Sequence, residues 1–366
     1  MLVEGLRRTG FRIDECVQPS WGSTAQRVEA ARRGVWNPRL IARLARSYAR
    51  LARDIRRAGR QPTLLVGYPG QLDTLVLRWL MPRARIVLDA FIGLDETLAD
   101  RRIGSARSAS RRAARILDRI AFRFADLTIV DTAAHARRFA ALYGLDLART
   151  VVAAVGAMDP GPLPAPLSSM GPRAEGLRVL YFGGFVPLHG VPTVVEAARL
   201  IAPTEGITFD LVGDGQDAGE TEHDLFAAPL PHVHLQRAWM PERELIAQHV
   251  AGADVCLGIF GNGSKAMDVV PAKLHLALAC ARATVTANSP AVREEVLARG
   301  DASDPPVLVC PPADPAGLAA SLRRLRDDPG LRERTARSGR RVYEEHFRPE
   351  RIVGELCERL RGLAEG

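Results

Sequence analysis

Short apolar runs that alternate with helical patterns, in two successive series, constrain this sequence more than any other feature. The first series contains RIDECV, TLLVG, RIVLD, LTIVD and VVAAVG, and the second contains RVLYFG, ITFDLVG, HVHLQ, DVCLGIF, ATVTA and VLVC. Strands separated by helices form parallel sheets joined by right-handed crossovers. The pattern therefore predicts two α/β domains of the Rossmann-like kind.

One long stretch rich in proline, glycine and serine, DPGPLPAPLSSMGPRAEG at residues 159–176, separates the two series and is the predicted linker. We expect an amino-terminal domain at residues 1–165, a carboxyl-terminal domain at 166–345 and a terminal helix at 346–366. The apolar face of that helix can pack across the domain boundary. The chain opens with the helical segment LVEGLRRTG rather than a strand. Either its start codon is internal, which we favour, or the first sheet lacks a strand.

The composition excludes several classes of protein. No segment approaches the roughly 20 apolar residues of a membrane span, and the amino terminus lacks a signal-peptide core, which favours the cytoplasm. The five cysteines lack C-x-x-C spacing and are predicted to be buried free thiols. The net charge of +8 favours anionic partners such as nucleotide phosphates or acidic lipid headgroups. Nucleic acid is the least supported partner, because aromatics are only 5% and no recognition motif is present.

The segment LYFGGFVPLHGVPTVVEAARLI is typical of an anion site. A strand ends at Gly183 and Gly184, and a helix starts just after His189. Glycines let a ligand approach the backbone, and free N–H groups at a helix start attract phosphate. We therefore expect a diphosphate at these three residues, with tight packing of the glycines and a structural histidine as the alternatives. Gly213, in GDG, supplies either a second ligand loop or an ordinary turn.

Three blocks within residues 177–345 carry a family resemblance: RVLYFGGFVPLHGVPTVVEAARLI, FDLVGDGQ and the run from VHLQRAWMPERE to VREEV. They resemble the carboxyl-terminal domain of the family 4 retaining glycosyltransferases, and LLVGYPGQLDTLVL, VLDAFIGLDETLADRR, ADLTIVDTAAHARRF and VVAAVGAMD resemble one branch in the amino-terminal half. The resemblance implies the GT-B fold, in which two Rossmann-like domains with parallel sheets face a central cleft. It also implies transfer of a sugar from a nucleotide diphosphate sugar to a hydroxyl acceptor, with retention and without a metal or other cofactor.

The family motif Glu-x7-Glu falls on Asp268 and Leu276. In the family the first carboxylate lies near the donor sugar, a catalytic position that Asp268 can fill with a shorter reach. The second holds the ribose hydroxyls, and leucine there predicts a loss of roughly 1 to 3 kcal/mol in donor binding. His275 could compensate through a ribose hydrogen bond. Lys273 is predicted to contact the donor, and Lys265 adds positive charge in the same block.

The acceptor is expected at strand ends of the amino-terminal domain, near Asp89 and Gly70. Asp89 stands where the family commonly has a histidine, and it can orient or deprotonate an acceptor hydroxyl or cap the next turn. In DTAAHA, Thr132 is a credible helix N-cap and His135 is predicted to line the cleft.

The segment at residues 39–60, RLIARLARSYARLARDIRRAGR, contains eight arginines and one acid. We expect Ile41, Leu44, Leu51 and Ile55 to pack on the sheet. The arginines then face either solvent or an anionic membrane that presents a lipid-linked acceptor.

These patterns leave several functions open. The first hypothesis is a retaining glycosyltransferase acting on a small-molecule, saccharide or lipid-linked acceptor in polysaccharide, glycolipid or secondary-metabolite synthesis. The second is a weak or inactive relative that binds a nucleotide or a partner enzyme. Epimerisation and phosphorolysis also occur on this fold.

Overall fold

The computed structural model describes residues 1–17, 38–57, 63–100, 105, 107–162 and 176–365. Contacts divide the chain into two compact units. The carboxyl-terminal unit comprises Met1–Gly5, Asp131–His135 and Ala154–Val353, and the amino-terminal unit comprises Leu6–Val130, Ala136–Ala153 and Gly354–Gly366. The predicted boundary between residues 165 and 166 lies outside the described residues.

The sheet of the amino-terminal unit is parallel and has the strand order β1-β2-β3-β4 in the described part of the chain. Its strands are β1 (Thr63–Val66), β2 (Arg85–Asp89), β3 (Leu127–Val130) and β4 (Thr150–Val152). Val66 pairs with Leu88, so the carboxyl ends of β1 and β2 meet at one edge of the sheet. Ile86, Leu88 and Phe139 are fully buried in the core of this unit.

The sheet of the carboxyl-terminal unit is also parallel, and its order is β10-β9-β8-β5-β6-β7. Its strands are β5 (Leu177–Phe182), β6 (Ile207–Val212), β7 (Val233–Gln236), β8 (Val255–Leu257), β9 (Ala283–Ala287) and β10 (Leu308–Cys310). The strand order reverses between β5 and β8, which are neighbours. Ligands of open α/β sheets bind beyond the carboxyl ends of the strands at such a reversal.

Helices connect these strands. Within the described residues the α-helices, numbered in chain order, are α1 (Leu2–Arg8), α2 (Pro38–Arg57), α3 (Gln71–Leu80), α4 (Leu94–Asp100), α5 (Ala109–Phe124), α6 (Ala133–Tyr143), α7 (Val191–Arg199), α8 (Ala218–Ala227), α9 (Glu242–Gln248), α10 (Ser264–Asp268), α11 (Ala272–Ala279), α12 (Pro290–Glu295), α13 (Pro315–Asp327), α14 (Pro329–Val342), α15 (Pro349–Ile352) and α16 (Gly354–Glu365). Shorter turns include a 3-10 turn at Pro187–His189 and a π-helical turn at Tyr343–Phe347.

The predicted strand RIDECV is wrong. Residues 12–17 form no regular element, and Val17 is 78% exposed, so this run does not join the buried sheet. The other ten predicted runs each overlap a strand. All five cysteines are free, and all except the half-buried Cys16 are buried.

The terminal segment contains two helices rather than one. α15 ends at Ile352, and α16 belongs to the amino-terminal unit. In that unit the sulfur of Cys357 lies 3.3 Å from Thr9 Oγ1, and the Arg361 guanidinium lies 5.5 Å from the centre of the Phe11 ring. Among the described helices, none combines the length and the apolar character that spanning a membrane requires.

Candidate functional site

Two glycine turns follow neighbouring strands of the carboxyl-terminal unit and pack backbone against backbone. A Cβ atom at Gly213 would collide with the carbonyl of Gly183, and the Gly213 backbone has φ of 147°, which glycine adopts readily. The Gly183 amide donates to the carbonyl of Val212 at 2.9 Å. The sheet therefore uses the Gly183 amide, which is not free to bind a ligand. This contact also explains glycine at 213 without a ligand.

The His189 turn is fixed against the loop that follows β8. Gly190 ends the turn in the left-handed conformation, with φ of 65° and ψ of 40°. A Cβ atom there would lie 2.6 Å from the backbone carbon of Phe260, and the Phe260 amide donates to the His189 carbonyl at 3.0 Å. His189 is therefore held at the reversal between β5 and β8.

Lys273, in the first turn of α11, reaches the same place. The side chain is nearly enclosed, with the residue 7% exposed, and its Nζ lies 3.7 Å from the centre of the Tyr181 ring and 3.4 Å from His189 Nδ1. A Cβ atom at Gly183 would lie 3.3 Å from Lys273 Cε. No carboxylate in the described ranges forms an ion pair with this amine, and burial lowers its pKa well below that of an ordinary lysine.

Tyr181 links the glycine turn to His189 through its hydroxyl group. Its hydroxyl donates to the Gly184 carbonyl at 2.6 Å, and His189 Nδ1 lies 2.5 Å from the same oxygen and 3.2 Å from the hydroxyl. Tyr181 is fully buried, and its burial raises the pKa of the phenol well above its usual value, so the hydroxyl stays protonated. The structure thus brings together Gly183, Gly184, His189 and Lys273, with Tyr181 as a member that the sequence analysis missed.

Trp239 is a second residue that the sequence analysis missed. It follows β7, is 70% exposed, and its ring carbon Cη2 would lie 3.9 Å from a Cβ atom at Gly184. An exposed aromatic ring therefore borders the cluster of Lys273 and His189. Its signal in the sequence is a lone tryptophan in the polar run QRAWMPERE.

Leu276, at the second position of the Glu-x7-Glu motif, and its neighbour His275 offer little to a ligand. Leu276 is 4% exposed within α11. His275 is fully buried, its ring lies 4.5 Å from that of Phe347, and burial lowers its pKa to about 3. Neither of its ring nitrogens has a hydrogen bond in the described part of the chain. The hypothesis that His275 compensates for Leu276 is therefore wrong, because the ring belongs to the core.

Asp268 and Lys265 both lie on α10, at the other end of the motif. Asp268 is the last residue of this helix and is half-buried, and its carbonyl accepts a hydrogen bond from the hydroxyl of Thr132. Lys265 is half-buried on the same helix. The role of Asp268 near the donor sugar stays a prediction.

His135 does not border a ligand surface. Its side chain is fully enclosed, and Nδ1 lies 2.7 Å from Asp131 Oδ1. The prediction that His135 lines the cleft is corrected by this burial. The His135 amide donates to Thr132 Oγ1 at 3.0 Å, which confirms Thr132 as the N-cap of α6.

The predicted acceptor residues share the carboxyl edge of β1 and β2. Asp89 ends β2, and its Oδ1 accepts from the Phe91 amide at 3.3 Å, so this carboxylate caps the following turn. Its role toward the acceptor stays a prediction. A Cβ atom at Gly70 would lie 2.7 Å from Val66 Cγ1, so close packing requires glycine there. Across the described ranges, no group of three or more histidine, cysteine, aspartate or glutamate side chains is arranged to hold a metal ion.

Comparison with known proteins agrees with this architecture. Residues 176–328 match the family described as Glycosyl transferases group 1. The chain is similar to Anabaena HepE in complex with UDP-glucose, with 18% identity, TM-score 0.69 and coverage of 93% of this chain and 90% of that one. It is also similar to the sucrose-phosphate synthase of Thermosynechococcus elongatus, with 17% identity, TM-score 0.67 and coverage of 87% and 79%.

A third similar structure is a glycosyltransferase from Rickettsia africae, with 12% identity, TM-score 0.63 and coverage of 94% of this chain and 89% of that one. No curated protein sequence is significantly similar. The family match contains Gly183, His189 and Lys273 and spans less than half of the chain. At these identities the structural likeness establishes the fold, which is GT-B, as predicted.

Proposed function

We propose that this protein is a family 4 retaining glycosyltransferase that moves a sugar from a nucleotide diphosphate sugar to a hydroxyl acceptor. One observation carries the proposal: the buried amine of Lys273 has no carboxylate partner in the described chain and lies beside Gly183 and His189 at the strand-order reversal. A buried cation is costly unless something pairs with it. The diphosphate of a donor would supply the missing charge.

The chemistry needs this charge most when the donor bond breaks. As the bond between the anomeric carbon and the diphosphate oxygen opens, negative charge develops on the diphosphate, where Lys273 and His189 can stabilise it. The acceptor hydroxyl would attack the anomeric carbon on the face from which the diphosphate leaves, giving retention, and its proton would pass to the departing oxygen. Such a reaction depends on positioning more than on a strong protein base, and the proposal assigns the positive charge to protein groups rather than to a metal.

The neighbouring tryptophan fits a nucleotide as well. An exposed ring offers a flat surface on which a nucleobase can stack, and Trp239 lies beside Gly184. HepE binds UDP-glucose in one of the similar structures, which favours a uridine diphosphate sugar for the first trial.

Thermal unfolding of the purified chain with UDP, GDP, ADP and CDP, and with their glucose and mannose esters, tests the proposal. A ligand that binds only the folded state raises stability by RT ln(1 + [L]/Kd), about 2.7 kcal/mol at a hundredfold excess over Kd. We expect one nucleotide to raise the melting temperature and its sugar ester to be consumed when acceptor is added. A folded chain that responds to none of them contradicts the proposal.

A second candidate function is nucleotide or partner binding without turnover. Leu276, buried where the family has a ribose-binding carboxylate, favours it. Binding of a nucleotide sugar with no release of nucleoside diphosphate, under any acceptor condition, would support this alternative over transfer.

We also propose that α2 contacts an anionic membrane that presents a lipid-linked acceptor. Arg46, Arg50, Arg53 and Arg57 are exposed at spacings that place them on one helix face, whereas Ile55 is buried. Leu51 is half-buried, and the side chains of Ile41 and Leu44 lie outside the described residues. Near an anionic bilayer each arginine contributes about 1 kcal/mol.

Sedimentation with vesicles tests the membrane proposal. We expect binding to vesicles that contain phosphatidylglycerol and little binding to pure phosphatidylcholine, with the difference lost at high salt. The double variant Arg50→Glu with Arg53→Glu should lose most of the binding. Arg123→Glu with Arg112→Glu, on the exposed face of α5, is the matched control. Equal loss in both double variants would show a general charge effect and contradict a role for α2.

A further inference from the structure

Two aromatic rings stand at the edge of the amino-terminal unit where β1 and β2 end. Tyr68 follows β1 and is 40% exposed, and Phe91 follows β2 and is half-buried. Their ring centres lie 6.2 Å apart at an interplanar angle of 89°. The pair is therefore a stable edge-to-face contact that still exposes aromatic surface.

Hydrogen-bond acceptors lie at the same edge. Asp89 is half-buried at the end of β2. Gln71, 1% exposed at the start of α3, donates from Nε2 to the Ile92 carbonyl at 3.1 Å, while its Oε1 has no hydrogen bond in the described part of the chain. Buried acceptors without a donor are rare and call for an explanation.

The loops that carry these groups are firmly held. The Ala90 amide donates to the Ile129 carbonyl at 2.9 Å, and the amides of Leu94 and Asp95 both donate to the Asp118 carboxylate at 3.1 Å. Asp95 is in turn bound by Arg111 and Arg115. The aromatic pair and its acceptors are thus preorganised, which lowers the entropy cost of binding a ligand.

The chemistry of this edge selects an uncharged polyhydroxylated ligand. The two connecting segments, GYPGQ and DAFIGL, contain no lysine, arginine or histidine, so nothing in them complements a phosphate. Aromatic rings accept the C–H face of a pyranose, and carboxylate and amide oxygens accept hydrogen bonds from its hydroxyls. We infer that Tyr68 and Phe91, with Asp89 and Gln71, form the acceptor subsite and that it binds the ring of a neutral saccharide. This inference rests on the proposed transferase function and names the acceptor class.

Saturation-transfer NMR with a panel of methyl glycopyranosides, at millimolar concentration and without donor, tests the subsite directly. We expect at least one methyl glycoside to bind, the corresponding sugar 6-phosphate to bind less well, and Tyr68→Ala to weaken binding roughly tenfold. Tyr68→Phe should keep most of the affinity, because the ring rather than the hydroxyl carries the contact. Trp79→Ala removes an aromatic residue of the same unit that is 82% exposed and should change nothing.

The same variants separate this inference from the proposed function. Tyr68→Ala should raise KM for the acceptor and leave the nucleotide-dependent melting shift unchanged. If no nucleotide shifts melting but a glycoside still binds through Tyr68, the transferase proposal fails and the saccharide subsite stands. The inference is overturned if no glycoside binds the wild-type chain, if Tyr68→Ala binds as well as wild type, or if the sugar phosphate binds better.

Discussion

Replacing Lys273 with methionine is expected to weaken stabilisation by the nucleotide donor and to raise the melting temperature of the ligand-free protein. Loss of a charged hydrogen bond to the diphosphate costs about 1.5 to 3 kcal/mol, which weakens binding roughly tenfold to a hundredfold. Without ligand, methionine removes a buried amine that no carboxylate in the described chain pairs with. We expect a gain of about 1 to 3 kcal/mol, or a few degrees in melting temperature.

Arg243→Met is the control, because it removes an exposed positive charge from the same unit. It should leave both the melting temperature and the donor response near wild type. A lower melting temperature for Lys273→Met, or a donor response as large as that of the wild type, would show that the amine serves the fold rather than a ligand.

The pH dependence of donor binding and of stability should distinguish the wild-type protein from Lys273→Met further. Burial lowers the pKa of Lys273 in the free protein, whereas a bound anion favours its protonated form. Donor binding should therefore take up a proton, and affinity should fall as pH rises above the free-state pKa. The unfolded chain holds its lysine proton to a higher pH, so ligand-free stability should rise with pH between the two pKa values. Calorimetry should find both effects absent in Lys273→Met.

Replacing Leu276 with glutamate is expected to tighten donor binding roughly tenfold to a hundredfold, since a carboxylate there would accept the ribose hydroxyls. The same change should lower the melting temperature of the ligand-free protein, because residue 276 is 4% exposed and an unpaired carboxylate is costly there. Donor titration and thermal unfolding measure both effects.

Leu276→Met, which nearly conserves the side-chain volume, is the control. It should change neither the free energy of donor binding nor the free energy of unfolding by more than about 1.5 kcal/mol. A folded Leu276→Glu protein with unchanged donor affinity would mean that residue 276 does not face the ribose. The assignment of the Glu-x7-Glu motif to this helix would then be wrong.

Local patterns were sufficient for most of the fold. Apolar runs such as LTIVD and ATVTA are short, bounded by turns and separated by helical segments, so strand and sheet type follow from sequence. RIDECV has a similar local pattern, but its Val17 is exposed, and whether a run joins a sheet depends on partners that the run itself does not encode.

The site was less predictable because its members depend on tertiary packing. Tyr181 lies in the largely buried strand LRVLYF, whose residues are apolar apart from Arg178, and nothing in this pattern marks Tyr181 as functional. The local sequence allows His275 to contact the ribose, but Phe347, distant along the chain, packs against its ring in the core. The Gly183 amide donates to the next strand, a contact that the local sequence does not reveal. Lys273 could be predicted, because it lies in the block that carries the family resemblance and supplies a positive charge there.

Helix α16 is part of the amino-terminal unit but is synthesised last. This helix belongs to that unit and contacts it through Cys357 and Arg359, which bind Thr9 and the Ala148 carbonyl. Domains generally fold in the order in which the ribosome releases them. Here the first unit cannot complete its packing until residues 354–365 have emerged, after the whole of the second unit. During translation the nascent chain therefore carries a first unit that still lacks the contacts made by this helix.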